Sequence, residues 1–191
     1  MSCLSDYLPA GPVVLDASVI INLLGCGEMH DVLIALGVQA LVEERTLEEI
    51  RRHPVPGLDH RSELDGLQQN GRLVVERMTD HDYEVFLRLT TGSRASRLDV
   101  GESAAITLAL GRGHTVILDE NKARLIVARD FAQLAVVSTF RMLLTAGYRG
   151  GWSAARVQRQ LIRARQQARM AVPRDEADEF SVLLDAVYGR P

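Results

Sequence analysis

The sequence has little cysteine: Cys3 and Cys26 are the only two among its 191 residues. Two widely spaced cysteines cannot build a disulfide framework or a cysteine-ligated zinc site, and they are typical of a reducing compartment. No apolar run approaches the roughly 20 residues that a membrane-spanning helix needs. Residues 1–11 also lack the basic and apolar regions of a secretory signal. We therefore expect a soluble, cytoplasmic protein with no membrane partner.

The sequence also lacks an excess of positive charge, because it has 22 basic and 25 acidic residues and a formal net charge of -3. The molecule as a whole is not a polyanion binder, and any contact with nucleic acid must use a locally basic surface. Hydrophobic residues make up 47% of the chain and charged residues 25%, which excludes a disordered or coiled-coil protein. A chain of this length buries enough surface to fold without disulfides or a structural metal.

Several catalytic signatures are missing as well. No Gly-x-Gly-x-x-Gly turn follows a strand, and there is no Walker A sequence. There is no Gly-x-Ser-x-Gly elbow, and the histidines at positions 30, 53, 60, 81 and 114 show no metal-ligand spacing. The segment Asp16-Ala17-Ser18 lacks the second aspartate that a phosphoaspartyl hydrolase places two residues after the first.

The sequence does contain short apolar runs that alternate with helical patterns. Residues 13–15 are continuously apolar and β-prone, and residues 114–118 form a second candidate for a fully buried strand, which is typical of parallel strands covered by helices on both faces. Further strands are predicted at 38–42, 72–75 and 134–137, and helices at 19–24, 28–36, 63–69, 80–89, 103–110, 122–131 and 140–144. The pattern predicts an α/β fold with a mainly parallel central sheet.

Gly150 and Gly151 mark a boundary, so we predict one domain over residues 1–150 and a helical extension over residues 151–191. Residues 152–172 form an amphipathic helical pattern with five arginines and no acid, and Arg156, Arg159 and Arg163 share its polar face. That face is either a solvated surface or a patch for RNA or for an acidic protein segment. An acidic helical segment, 175–185, follows.

Acidic residues follow the predicted strands. Asp16 and Asp119 each come directly after an apolar strand, and ligands of parallel sheets gather at these strand ends. Taken alone, each aspartate is adequately explained as a helix cap or turn residue. Asp99 and Glu102 have the spacing of a capping box, which accounts well for Asp99 and less well for Glu102.

A cluster of these carboxylates would need a cation. Two carboxylates about 4 Å apart repel by roughly 4 kcal/mol at an effective dielectric constant of 20, so several acids either stay apart or surround a metal ion. Oxygen-only ligation favours Mg²⁺ or Mn²⁺, which polarise a phosphodiester and acidify a bound water. Glu48 and Glu49 are the weakest candidates, because a glutamate pair in a first helical turn is usually solvated.

The order of these motifs resembles the PIN domain family of nucleases, which includes VapC-type toxins. The resemblance is carried by residues 13–18, 47–50, 99–106 and 116–124, and it covers most of residues 12–148. It is closest to the prokaryotic branch with a Gly-Glu helix and a Leu-Asp-Asp/Glu-x-x-Ala-Arg loop. It implies a PIN-like three-layer α/β/α sandwich over residues 1–150, followed by the helical extension.

The resemblance also implies a set of site residues. Asp16, Glu49, Glu102 and Asp119 would be the catalytic acids that hold Mg²⁺ or Mn²⁺, with Ser18 supporting Asp16. The alternates are Glu48 for Glu49, Asp99 for Glu102 and Glu120 for Asp119. The cations that would meet RNA are Arg94, Arg97, Lys122, Arg124, Arg156, Arg159 and Arg163, although each of the first four is equally well explained as a solvated residue.

The implied function is a metal-dependent endoribonuclease that cleaves single-stranded RNA. The resemblance further implies a toxin of a toxin–antitoxin pair, with an antitoxin protein as partner and a homo-oligomeric state. One alternative is a catalytically inactive PIN-like module that binds protein or RNA. A weaker alternative is a metal-dependent phosphohydrolase that acts on a small molecule.

Overall fold

The computed structural model describes residues 4–94 and 96–185. Its strands are β1 (Val13–Leu15), β2 (Ala40–Glu43), β3 (Leu73–Glu76), β4 (Thr115–Ile117) and β5 (Val136–Val137). Its helices are α1 (Ala17–Cys26), α2 (Met29–Leu36), α3 (Glu44–Glu48), α4 (His60–Gln69), α5 (Asp80–Thr90), α6 (Val100–Arg112), α7 (Asn121–Asp130), α8 (Thr139–Arg149), α9 (Ala154–Ala168) and α10 (Ala177–Asp185). A 3₁₀ turn (Arg174–Glu176) precedes α10.

The strands form one parallel sheet in the order β3-β2-β1-β4-β5. Side chains alternate between its faces, so Val13 and Leu15 enter one hydrophobic core while Val14 enters the other. Because both faces are covered, every residue of β1 is apolar and buried. The predicted three-layer α/β/α sandwich with a parallel sheet is confirmed.

The helices divide between the two faces of the sheet. Side chains of α1, α2, α4, α8, α9 and α10 share the core of Leu15, and side chains of α5, α6 and α7 share the core of Val14. Helix α9 packs along α1, where a Cβ on Gly25 would lie 2.8 Å from the Cβ of Ala168. The helices after residue 150 therefore belong to the same core as the first helix.

The helix ends that differ most from the prediction are the C-terminal ends of α8 and α9. Helix α8 continues to Arg149 instead of ending at residue 144, because Ala146 is buried and Gly147 leaves room for Val157 of α9. Helix α9 ends at Ala168 instead of residue 172, because Arg169 adopts the left-handed conformation with φ 59°. Tertiary packing sets the end of α8, and backbone conformation sets the end of α9. The spacing of hydrophobic residues in the sequence predicts neither.

Within the described residues, no single helix is long and apolar enough to cross a membrane. Helices α1 and α2 meet that test only as a pair bent by 108°, and most of their apolar residues lie in the core.

Candidate active site

Two aspartates leave neighbouring strands at the carboxyl edge of the sheet. The register between β1 and β4 pairs Leu15 with Ile117, so Asp16 and Asp119 follow adjacent strands on the same side. Both are buried, with 5% and 3% of their surface exposed. This edge lies where the strand order reverses around β1, the position at which parallel sheets bind ligands.

Asp16 is the N-cap of α1. Its Oδ2 accepts hydrogen bonds from the backbone N–H of Ser18 at 3.1 Å and from the Ser18 hydroxyl at 2.5 Å. Burial nevertheless raises the pKa of Asp16, and the charge of Asp99 raises it further. The cap therefore fixes the orientation of this carboxylate without making its negative charge favourable.

Asp119 is held by donors from two other elements. The backbone N–H and the hydroxyl of Thr139 donate to it at 2.7 and 2.6 Å, and the Asn22 amide donates at 2.9 Å. The register of β4 and β5 pairs Ile117 with Val137, which places Thr139 opposite Asp119. Burial raises the pKa of Asp119 to about 6, and the charges of Asp16 and Glu176 contribute.

A reciprocal capping box opens α6 beside these aspartates. Asp99 accepts from the Glu102 N–H at 2.8 Å, and Glu102 accepts from the Asp99 N–H at 3.4 Å. Burial raises the pKa of Glu102 to about 7, and the charges of Asp99, Asp16 and Glu120 add to that effect. The same two residues thus cap a helix and belong to the acidic site.

The structure places Glu49, and not Glu48, beside the capping box. The Glu49 carboxylate packs against Gly101, where a Cβ would lie 2.6 Å from its Oε2. Burial and the charges of Asp99 and Asp16 raise the pKa of Glu49, and a backbone hydrogen bond from Gly101 partly offsets them. Glu48 is exposed and lines a separate cavity against α4.

These acids line one cavity of about 380 Å³, which we call the acidic cavity. Its polar lining residues are Asp16, Ser18, Asn22, Glu49, Asp99, Glu102, Asp119, Glu120 and Arg169. Glu120 is exposed and caps α7 by accepting from the Ala123 N–H at 2.7 Å, so the two successive acids at the end of β4 both border the cavity. The acids predicted from separate parts of the sequence therefore lie in one place.

The donor chemistry of the acidic cavity fits a hard divalent cation. Its carboxylates raise one another's pKa, and a bound cation would remove that repulsion. Asp16, Glu102 and Asp119 would hold Mg²⁺ or Mn²⁺, with Glu49 alongside, and the ion would polarise a phosphodiester and acidify water. As placed, the described His, Cys, Asp and Glu side chains form no group of three or more that could hold a metal.

The predicted RNA-binding cations are not among the described residues that line the acidic cavity. Lys122 donates to the carbonyls of Arg94 at 3.0 Å and Arg97 at 2.5 Å, so it fastens the loop before α6. The side chains of Arg94 and Arg97 are exposed on that loop. Arg124 donates to the Leu118 carbonyl at 3.3 Å and is engaged within the protein.

The arginine face of α9 is partly used for packing. Arg156 pairs with Glu28 and Asp31 at 2.6 Å each and lies over the Trp152 ring at 4.1 Å. The Arg163 guanidinium packs against the C-terminal end of α1, where a positive charge is favourable. Only Arg159 of this predicted trio has an exposed side chain with no described intramolecular role.

Three residues that line the acidic cavity or hold its aspartates were not predicted from the sequence: Thr139, Asn22 and Arg169. Thr139 lies two residues after Val137, the last paired residue of β5, so the expectation that strand ends carry site residues could have found it. Asn22 lies four residues after Ser18 on α1 and shares its face. Arg169 gave no signal, because it reaches the cavity only through its left-handed backbone at the end of α9.

Comparison with known proteins agrees with this architecture. A family model described as a PIN domain matches residues 12–184. The chain therefore belongs to the PIN domain family, which has a nuclease-type fold, and the match includes α9 and most of α10. Searches of curated proteins and of solved structures gave no significant match.

Proposed function

We propose that this protein is a metal-dependent endoribonuclease that cleaves single-stranded RNA. The observation that carries the proposal is the acidic cavity at the carboxyl edge of the sheet, where Asp16 and Asp119 are buried and held by neighbouring donors. Such a concentration of carboxylates becomes favourable at neutral pH when a divalent cation is bound. The nuclease-type fold of the family supports the same reaction class.

In this proposal the site contains metal ligands and the hydrogen-bond donors that orient them. Asp16, Glu102 and Asp119 hold Mg²⁺ or Mn²⁺, and Glu49 borders the same space. Ser18, Asn22 and Thr139 orient the two aspartates through hydrogen bonds of 2.5 to 2.9 Å. Carboxylates that are oriented before the ion binds need less rearrangement to hold it.

The test compares RNA cleavage by the wild type and by Asp16→Asn. Asparagine caps a helix as well as aspartate does, so the variant should keep α1 while it loses a charged oxygen ligand. We expect cleavage of an end-labelled single-stranded RNA in Mg²⁺ or Mn²⁺ to fall by about 100-fold or more, since even supporting residues of metal sites contribute about 10–100-fold.

The matched control is Asp59→Asn. Asp59 caps α4 through the N–H groups of Arg61 and Ser62 and lies outside the acidic cavity, so this variant should cleave at the wild-type rate. Equal cleavage by Asp16→Asn and wild type would argue against the assigned site. A pure wild-type protein that is inactive with both metals would argue against the enzyme.

One observation favours a second candidate function. Because no described group of three ligand-type side chains is arranged to hold a metal, the chain also suits a catalytically inactive PIN-like module that binds RNA or protein. A module of this kind would bind RNA without cleaving it and would gain no stability from Mg²⁺ or Mn²⁺.

The toxin role and the antitoxin partner rest on the resemblance to VapC-type proteins. Arg94, Arg97 and Arg159 are exposed and would attract an acidic antitoxin segment. An antitoxin encoded beside this chain should restore the growth of cells in which expression of the wild type, but not of Asp16→Asn, is toxic.

A further inference from the structure

Two further cavities share lining residues with the acidic cavity. Ile21, Glu49, Ala168 and Arg169 also line a cavity of about 630 Å³ beside residues 51–56. Arg169 and Ala171 also line a third cavity, of about 580 Å³, between α9 and α10. The three cavities therefore adjoin one another, with Arg169 in the lining of all three, and we call them together the arginine groove.

Both arms of the arginine groove carry exposed arginines. Arg51 and Arg52 line the first arm, Arg165 lines the second, and Arg169 borders all three cavities. Ion pairs among the described residues use other arginines, namely Arg45, Arg77, Arg112, Arg124, Arg129, Arg141, Arg149 and Arg156. Arg165 lies over the Phe180 ring at 5.4 Å and Arg51 acts electrostatically on Glu49, but the side chains of all four groove arginines are exposed and can meet an anionic ligand.

Arg169 has a backbone conformation that arginine disfavours. With φ 59°, it is the one non-glycine residue in the described part of the chain with positive φ, a conformation that side chains with a Cβ disfavour. Its N–H closes α9 by donating to the Ala164 carbonyl, a task that glycine performs without strain. The helix end therefore does not need arginine, whereas the groove receives a positive charge at the point where its cavities meet.

We infer that the arginine groove binds the backbone of an extended RNA strand, with Arg169 contacting a phosphate next to the acidic cavity and Arg51, Arg52 and Arg165 contacting phosphates farther along both arms. The inference rests on the proposed function for its substrate class. The carboxylates of the cavity repel the phosphates that flank the reacting one, and arginines on both sides offset that repulsion. Such contacts fix the position of the strand without reading its bases.

The experiment uses Arg169→Gly, which removes the guanidinium and leaves a residue that favours the left-handed backbone. The variant should fold with unchanged or raised thermal stability. Binding of a short fluorescent single-stranded RNA, measured by anisotropy in EDTA and again with Ca²⁺, should weaken by about 5- to 10-fold. The slope of log Kd against log salt concentration should decrease by about 0.7, the value for one lost phosphate contact on a single strand.

A charge-matched control is Arg129→Ala, because Arg129 is exposed on α7, pairs with Asp130 and lies outside the groove. It should bind RNA within about 2-fold of the wild type, as expected for loss of one remote charge. Equal losses in the two variants, wild-type binding by Arg169→Gly, or no RNA binding by the wild type each overturn the inference. Arg169-dependent binding of an acidic peptide in preference to RNA overturns it as well.

The two proposals fail separately. If RNA binding depends on Arg169 but the wild type does not cleave with Mg²⁺ or Mn²⁺, the arginine groove stands and the endoribonuclease proposal is wrong. If cleavage depends on Asp16 but RNA binding ignores Arg169, the enzyme stands and the groove assignment is wrong.

Discussion

At the scale of single residues, the acids of the cavity combine a structural task with an electrostatic cost. Asp16, Asp99 and Glu120 each cap a helix, and burial raises the pKa of Asp16, as it does for Glu102 and Asp119. From the sequence, helix capping and membership of the site were alternative explanations for Asp16. Both hold, because the N-cap residue of a helix that begins at the end of a strand lies at the edge of the sheet.

Glu102 gives the sharpest test of this electrostatic cost. Burial raises its pKa from 4.5 to about 7, so between these pH values the folded protein binds a proton more tightly than the unfolded chain. The stability from this proton is present below pH 4.5 and is lost as the pH rises through about 7. Glu102→Gln should leave the free energy of unfolding of metal-free protein unchanged near pH 4 and raise it by about 1–3 kcal/mol near pH 8.

Urea denaturation in EDTA at both pH values measures this effect. Glutamine also serves in a capping box, so α6 should be preserved in the variant. The control is Glu48→Gln, an exposed residue outside the acidic cavity, whose substitution should change the free energy of unfolding by no more than about 0.5 kcal/mol. If the difference in the free energy of unfolding between Glu102→Gln and the wild type does not increase with pH, the charge of Glu102 does not destabilise the folded protein.

The sequence located the cavity acids because parallel strands deliver their last residues to a common edge. It did not distinguish Glu48 from Glu49, because α3 has only five residues and its hydrophobic pattern is too short to fix which side faces α6. It missed Thr139 and Asn22, because their part in the site is to donate hydrogen bonds and neither carries a charge.

At the scale of elements, the turn before α10 supports the corner that holds Asp119. Glu176 in this turn is buried and accepts a hydrogen bond from the Ser138 hydroxyl, and Ser138 caps α8. The next residue, Thr139, donates twice to Asp119. Residues near the end of the described chain therefore act on the site through one corner of the sheet.

Replacing Glu176 tests this support. Glu176→Ala removes the acceptor of Ser138 and should weaken Mn²⁺ binding by about 10-fold or more, as does loss of other groups that orient metal ligands. Glu176→Gln keeps an oxygen acceptor and should recover most of the affinity, which a purely destabilising change would not show. Titration calorimetry with Mn²⁺ measures the affinity, and circular dichroism verifies that each variant folds.

The matched control for the turn is Glu179→Ala. Glu179 pairs with Arg141 at 2.6 Å and lies three residues beyond Glu176, but its contacts do not include Ser138. It should bind Mn²⁺ as the wild type does. If Glu176→Ala binds Mn²⁺ with the affinity of the wild type, the turn does not support the metal site.

The elements themselves were predictable to different degrees. Strands such as β1 were found because continuous apolar runs are sufficient to mark a buried parallel strand. The predicted ends of α8 and α9 were wrong. The end of α8 depends on contact with Val157, and the end of α9 depends on the left-handed backbone of Arg169. Local propensity does not encode either cause.

At the scale of the whole molecule, a net charge of -3 conceals an uneven distribution of charge. Carboxylates gather in the acidic cavity, and the exposed arginines of the arginine groove flank it on both arms. Total charge therefore says little about whether this protein binds a polyanion, because the relevant fields act over about a Debye length, roughly 10 Å at 0.1 M salt.

A cation that binds only the folded state should stabilise the whole molecule. At a metal concentration about 100 times Kd, Mg²⁺ or Mn²⁺ should raise the free energy of unfolding by about 2.7 kcal/mol, and Tm should rise accordingly. Thermal unfolding with and without metal measures this gain. It should vanish in Asp119→Asn and persist in Asp59→Asn, and a Tm that ignores both metals would favour the inactive module.

The dependence of the groove on α9 also has a consequence for synthesis of the chain on the ribosome. Translation produces Asp16, Glu49, Glu102 and Asp119 before it reaches α9 and the turn that contains Glu176. A nascent polypeptide that has reached residue 150 has these acids but lacks Arg169, the arginine that borders all three cavities. The proposed groove is therefore incomplete until α9 has been synthesised, although all four acids are already present in the chain.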